Sequence, residues 1–435
     1  TERVSADPHL HAGASAGLLL RPALLAGQEC AQLERDLAML NALLVSLPDR
    51  LYGGRVDVMG EALGFSPLQR TAIEETWRDE PVMLSRTDLF RVAGGFRAME
   101  VNVHSSLGGI DSGPWHRALL DVPIFAEFAA AHRLTYLDPL DGVAGALRVV
   151  ARQRGLSPFP SVGIVAWPTA YPSLEARLRR LARSLGTRGF ETFACHAGEL
   201  SIRAGHLHAR GRRIDIMYRI FIIDDVSRQP ALLGPVLAAH RSGNLVLVMS
   251  FLAELVGNKG ALAMLADPAN ERSFDAHERE TLGRMIPWTR RVRDGAVDWR
   301  GEHIELAKLA ELAQHELILK PVGGYGAKGV MPGWTVDQAA WRAQVTRAAG
   351  EGWVLQERVR GLPEVVPMLT DGGIELREVD VNWGAFLTGD RFKGMMVRAV
   401  PSIGGGVIST STGALIGGCF FQRSPRPGGL AGTVA

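Results

Sequence analysis

Lys320 ends an apolar run and opens LKPVGGYGAKGV, in which Gly323, Gly324, Gly326 and Gly329 follow within nine residues. Glycine-rich backbone lets N–H groups approach phosphate oxygens closely, and the lysine adds an ammonium beside them. The spacing matches neither the Walker A loop nor the dinucleotide fingerprint, and a plain β-hairpin with a loose turn is the alternative. A second cluster lies upstream. Arg86-x-Asp88 is followed, twelve residues after Asp88, by Glu100-x-Asn102 and then His104, Ser105 and Ser106. Residues two apart on a strand share a face, so two such strands bring Asp88, Glu100 and Asn102 to one edge. Two carboxylates and an amide oxygen are hard donors of the kind Mg²⁺ takes beside phosphates; solvated strand carboxylates are the alternative. A weaker version, Asp380-x-Asn382 with Glu375 and Glu378 nearby, lies downstream. Asn258-Lys259 opens an apolar helical pattern, a natural place for an anion, although a surface lysine would look the same.

These groups need elements to hold them. Glu29 to Leu47 has apolar residues at helical spacing, with Pro48-Asp49 as its stop, and Ser66 to Trp77 reads as a second helix with Pro67 in its first turn. From Pro81 to Gly109 the pattern becomes two strands around a Gly94-Gly95 turn. SVGIVAWP, an arginine-rich helix from Leu174 to Leu185, and GFETFAC form a βαβ unit. Alternation through LSIRAGHLHARGRRIDIMYRIF predicts a hairpin that runs into an apolar strand. NLVLVMS is a buried strand, Phe251 to Leu265 a helix, Trp353 to Val359 a strand, and Ile374 to Arg398 two or three long strands.

The composition sets the class. With 435 residues, 46% hydrophobic and 22% charged, the chain is an ordinary globular protein of more than one domain. Lys+Arg 48 against Asp+Glu 46 leaves +2, so no charge excess points to nucleic acid or an anionic membrane. Three scattered cysteines make neither a disulfide framework nor a zinc site and favour a reducing cytoplasm. No apolar run approaches the roughly 20 residues of a membrane span, and no leader pattern opens the chain.

WVLQERV follows the Lys-Pro-glycine stretch by about thirty residues and ends in Gln356-Glu357-x-Val359. That pairing resembles the ATP-grasp fold, in which ATP lies between two sheets and a linker strand reads adenine. Six motifs in order, SRTD, MEVNVHSS, GNKGALAML, LKPVGGYG, LQERV and MMVRA, resemble the synthetase domain of glutathionylspermidine synthase, with the carboxylates ahead of the glycine loop. The resemblance runs from about Arg86 to Arg398; YRIFIIDD resembles a segment of other permuted relatives, and the first 80 residues align with nothing in that family. It implies a mixed α+β protein with a circularly permuted ATP-grasp fold. The expected parts are an N-terminal helical segment (1–80), metal-binding strands (81–150), a pre-ATP-grasp βαβ subdomain (151–250), a nucleotide-binding part (251–423) and a loose tail (424–435).

By the same resemblance the cofactors are ATP and Mg²⁺. Asp88, Glu100 and Asn102 would hold metal. Lys259, Lys320, Gly323, Gly324, Tyr325 and Gly326 would meet the nucleotide phosphates, and Gln356, Glu357 and Val359 the adenine. Arg86 and Arg398 would be catalytic, and Ser105 and Ser106 would meet substrate. The activity implied is ATP-dependent ligation of a carboxylate to an amine, on amino acids or short peptides, through an acyl phosphate. A phosphotransferase or a non-catalytic ATP-binding protein are the alternatives. The partners expected are small molecules, with no nucleic acid and no membrane.

Overall fold

Three sheets place the candidate residues in this computed structural model, which describes residues 17–77, 83–103, 107–324, 326–370, 372–402 and 407–422. The largest is built around the hairpin Leu84–Val92 and Gly95–Asn102, turned at Gly94 and Gly95 with φ of 88° and 145°, values a side chain would resist. Leu84–Val92 pairs antiparallel with Gly373–Thr388, which pairs with Arg391–Pro401, which pairs with Leu415–Gln422. Ala23–Leu25 then adds in parallel at that edge, so the N-terminal stretch is not helical throughout. Glu364–Thr370 pairs with the first half of Gly373–Thr388 and extends the sheet as a two-stranded arm.

A second sheet orders Thr289–Arg291, Trp353–Glu357, Leu317–Pro321 and Met331–Pro332, with its own core around Trp341, Leu319 and Leu355. The third is wholly parallel: Val246–Val248, Ile216–Arg219, Ser161–Ala166 and Glu191–His196. It carries the expected βαβ unit, its helix running Tyr171–Gly186, and its strands are buried on both sides as parallel strands require. A small antiparallel ladder through Ser201–Arg203, His206–Ala209 and Arg212–Ile214 leads into Ile216–Arg219, as the alternation predicted.

Two local expectations change. The first helix runs Gly27–Tyr52 straight through Pro48, and closes at Gly53, whose N–H reaches the Asp49 carbonyl. Proline costs one amide donor, but the burial of Leu40, Leu43, Leu44 and Leu47 against the shared core holds the last turn in place. Phe251 to Leu265 is two helices, Leu252–Val256 and Lys259–Ala266. Asn258 breaks the run because its side-chain oxygen caps the second helix, accepting from Gly260 N–H at 2.8 Å. The break sets Lys259 in the first turn of the new helix.

Candidate active site

The first and second sheets face each other across a cavity of about 620 Å³. Its walls include Arg86, Asp88, Glu100, Asn102 and Arg398 from the large sheet, and Lys320, Gly326, Gln356, Glu357 and Val359 from the small one. The hairpin register explains the first group. Asp88 lies opposite Glu100 and Arg86 opposite Asn102, so all four side chains leave one face. The ladder then slips between Asp88 and Leu89, leaving Met99 as an extra residue in a bulge. Its carbonyl accepts from Lys320 Nζ at 3.1 Å, which ties the two sheets together.

Asp88 is the centre of the charge network. Arg86 donates through Nε to Oδ1 at 2.8 Å and through Nη2 to Oδ2 at 3.0 Å, and Arg398 Nη2 reaches Oδ2 at 2.7 Å. Asn102 Nδ2 adds a bond at 3.1 Å. Burial pushes the Asp88 carboxyl up, but the Arg398 and Arg86 guanidiniums outweigh it and hold the group below the usual carboxylate range. Arg398 also donates to Asn382 Oδ1 at 2.6 Å, and Arg86 Nη1 to the Gly108 carbonyl at 2.9 Å. Arg398 Nε is buried and has no acceptor among the described residues.

Lys320 is buried between the sheets, with Gln356 Oε1 at 2.6 Å; Gln356 is itself anchored to Thr289 Oγ1 at 3.0 Å. Desolvation, with Lys259 adding to it, lowers the ammonium to about 8, while Glu100 and Asp88 pull the other way. Lys259 lies 3.6 Å from Glu100 Oε2 and donates to the Gly324 carbonyl at 3.3 Å, so it bridges the metal-type strand and the glycine loop. Gly323 and Gly324 do not line the cavity, whereas Gly326 does. His104, Ser105, Ser106 and Tyr325 lie outside the described residues.

Both acidic sets point into one space. Glu378, Asp380 and Asn382 line the cavity from the strand beside Leu84–Val92, while Glu375 is on the opposite face, exposed and paired with Arg377 at 2.8 Å. Asp380 accepts from Ser402 Oγ at 3.2 Å. Sequence reasoning missed Trp334, Arg358 and Arg360, which line the far wall; Arg358 stacks on the Trp334 ring at 4.0 Å. The alternation of Arg358 and Arg360 with Val359 was the available signal. The YRIFIIDD segment is structural. Arg219 is buried against Glu254 at 2.7 Å and donates to the carbonyls of Met249, Phe221 and Ser250.

Across 93% of this chain and 90% of the other, at 12% identity and a TM-score of 0.60, the structure overlays that of a glutathione synthetase-like effector from Globodera pallida in its apo form. The two share a fold. No protein-family model matches the chain. Uncharacterized proteins of Mycobacterium tuberculosis and Mycobacterium bovis are 26% identical over 336 residues, which is 74% of this chain and 56% of each of them. The chain thus spans little more than half the length of the curated relatives it matches. No described helix is long and apolar enough to cross a membrane.

The cavity suits a nucleoside triphosphate. Its volume is within the range of small-molecule sites, roughly 300–1,000 Å³. The buried Arg398 Nε lacks an acceptor that an anion would supply. Of the loop glycines with positive φ, Gly326 lines the cavity, and its φ of 63° is one that a side chain would resist. A divalent cation also fits by donor chemistry. Asp88, Glu100 and Asn102 are hard oxygen donors on one face; to ligate, Asn102 would turn its amide and Asp88 would release an oxygen that Arg86 or Arg398 now holds. Among the described residues no group of three or more His, Cys, Asp or Glu offers a competing site.

Proposed function

We propose that this chain is an ATP-dependent carboxylate–amine ligase of circularly permuted ATP-grasp type, acting on amino acids or short peptides. One observation carries the reading. The doubly paired Asp88, with Arg86 and Arg398 on it, faces the buried Lys320–Gln356 pair across a single cavity of nucleotide size. The shared fold with a glutathione synthetase-like effector supports it.

In this reading Lys320 and Lys259 hold phosphate oxygens, with Gln356 fixing the Lys320 ammonium in place. Glu357 and Val359 line the cavity beside the base. Mg²⁺ held by Asp88, Glu100 and Asn102 would neutralise charge on the phosphates. Arg86 and Arg398, now bonded to Asp88, would exchange that carboxylate for the phosphoryl group as it passes to the substrate carboxylate, where charge is shared between donor and acceptor oxygens. An amine then displaces phosphate from the acyl group, and an amide, ADP and phosphate result. Most of the catalysis is positioning and electrostatics.

ADP release measured across amino-acid pairs, with hydroxylamine present, tests this. Hydroxamate accumulates only if an acyl phosphate forms. ADP without hydroxamate indicates a phosphotransferase, and ATP binding without ADP a binding protein.

A further inference from the structure

The cavity does not end at Asp380. Along Gly373–Thr388 the residues Ile374, Leu376, Glu378, Asp380 and Asn382 alternate onto one face, and the pairing with Glu364–Thr370 runs without a slip. Glu378, Asp380 and Asn382 line the cavity, so the side chains beyond them continue its floor outward. The cross-strand partners on that face are Val365, Pro367 and Leu369, opposite Glu378, Leu376 and Ile374. Leu369, Ile374 and Leu376 are 65%, 69% and 74% exposed. The reverse face is ordinary: Val366 and Val379 are buried and Glu375 pairs with Arg377. The root is pinned, because Arg21 and Arg91 both bond Glu364 and Arg21 also reaches the Val365 carbonyl at 2.7 Å.

We propose that this apolar ladder is the distal part of the substrate site, and that it takes the far residues of an extended peptide whose reacting end lies at Arg86 and Arg398. The proposal rests on the ligase reading and names its substrate class. At about 3.3 Å per residue, Leu376 lies about 20 Å and Ile374 about 26 Å along the strand from Asn382. An extended peptide with its first residue beside Asn382 therefore reaches the ladder at about its seventh and ninth residues, which share a face with the first. Between the two ends it passes Glu378 and Asp380, which suit amide N–H groups or a cationic side chain and would repel a bare acyl chain. A second copy of the chain is a poorer occupant. A stable dimer takes about 800 Å² and 20–30 residues from each partner, and this face offers five apolar residues.

Titration calorimetry with four nonapeptides, in the presence of a non-hydrolysable ATP analogue, tests it. One has leucine at residues 7 and 9, one has leucine at residues 1 and 3, and two carry serine in those places; the pairs cover reaction at either peptide end. One leucine peptide should bind wild type about tenfold or more tighter than its serine counterpart, the gain expected from covering two leucine side chains in part. The Ile374→Ser/Leu376→Ser variant should lose that preference, and Arg377→Ala, on the reverse face, should keep it. No preference in wild type overturns the proposal, as does a preference that survives in the serine variant or vanishes in Arg377→Ala. A wild-type dimer made monomeric by Ile374→Ser/Leu376→Ser would assign the ladder to self-association and overturn it too. Hydroxylamine trapping separates the two readings: a leucine preference without hydroxamate retires the ligase alone, and hydroxamate without the preference retires the peptide site alone.

Discussion

Raising the pH should relieve a cost that the buried Lys320 ammonium sets on the fold while weakening the hold on nucleotide. That ammonium is lowered from 10.5 to about 8 by burial. Between those values the unfolded chain keeps the proton and the folded chain does not, so unfolding takes up a proton and this group's contribution to stability rises with pH across the window. Each pH unit is worth about 1.4 kcal/mol, which makes the total about 3 kcal/mol. Lys320→Met removes the titrating group, so the stability of wild type relative to this variant should rise by that amount between pH 8 and 10.5, while the loss from the Cys195 and Cys419 thiols, which burial pushes up, is common to both. Nucleotide affinity moves the other way. A phosphate needs the protonated lysine, so above pH about 8 binding must first restore a proton, and affinity should fall about tenfold per pH unit. Calorimetry of ATP binding at pH 7, 8 and 9 in two buffers of different ionisation enthalpy reads both the affinity and the proton uptake. Constant affinity with no proton uptake at pH 9 would falsify the placement of Lys320 against phosphate.

Other perturbations separate structure from chemistry. Asp88→Asn leaves two buried guanidiniums beside a neutral amide, so it should cost about 3–5 kcal/mol in urea unfolding and abolish ATP turnover; unchanged stability would mean the Arg86 and Arg398 pairs are not formed in solution. Glu100→Gln, by contrast, alters a more exposed carboxylate, and should abolish turnover in the same ADP-release assay with little change in the unfolding midpoint. Arg86→Lys keeps the charge but loses the two-pronged geometry, and should lower kcat with only a modest change in ATP affinity; a rise in KM for ATP alone would make Arg86 a nucleotide contact. Arg219→Met strips a donor from three buried carbonyls, and should destabilise by more than about 3 kcal/mol without altering nucleotide affinity in whatever protein remains folded.

What could be read from the sequence was local. Period-two alternation puts Arg86 with Asp88, and Glu100 with Asn102, on a shared face of each strand, but the register set by the Gly94-Gly95 turn would place Asp88 opposite Met99; the bulge at Met99 is what brings the two pairs to one face, and alternation does not show it. The Lys320 strand and the Gln356 strand are likewise legible as local patterns. That Asp380 and Asn382 share the cavity with Asp88 was not legible, since it depends on Gly384 pairing with Asp88 across nearly three hundred residues. The start of the helix at Asn258-Lys259 was legible, but the apolar run from Phe251 to Leu265 also read as one helix, and periodicity does not tell a capping Asn258 from a polar residue inside a continuous helix. Trp334 reaches the cavity from a short turn between strand and helix, where no period exists to read.

The central hairpin is made long before its neighbour. Asn102 ends the hairpin, and Gly373, which opens the strand that will flank it, comes 271 residues later. At 5–20 residues per second, synthesis leaves that hairpin edge unpaired for roughly 15–55 s. The parallel sheet of Ser161 to Val248 lies wholly within the interval and can close on itself as it emerges. The large sheet cannot, since Leu415–Gln422 must arrive before Ala23–Leu25 finds a partner. A nascent chain therefore carries a growing nucleus in its middle and an open, pairing-competent ladder at its start, the arrangement in which stalled or truncated chains aggregate through the first hairpin.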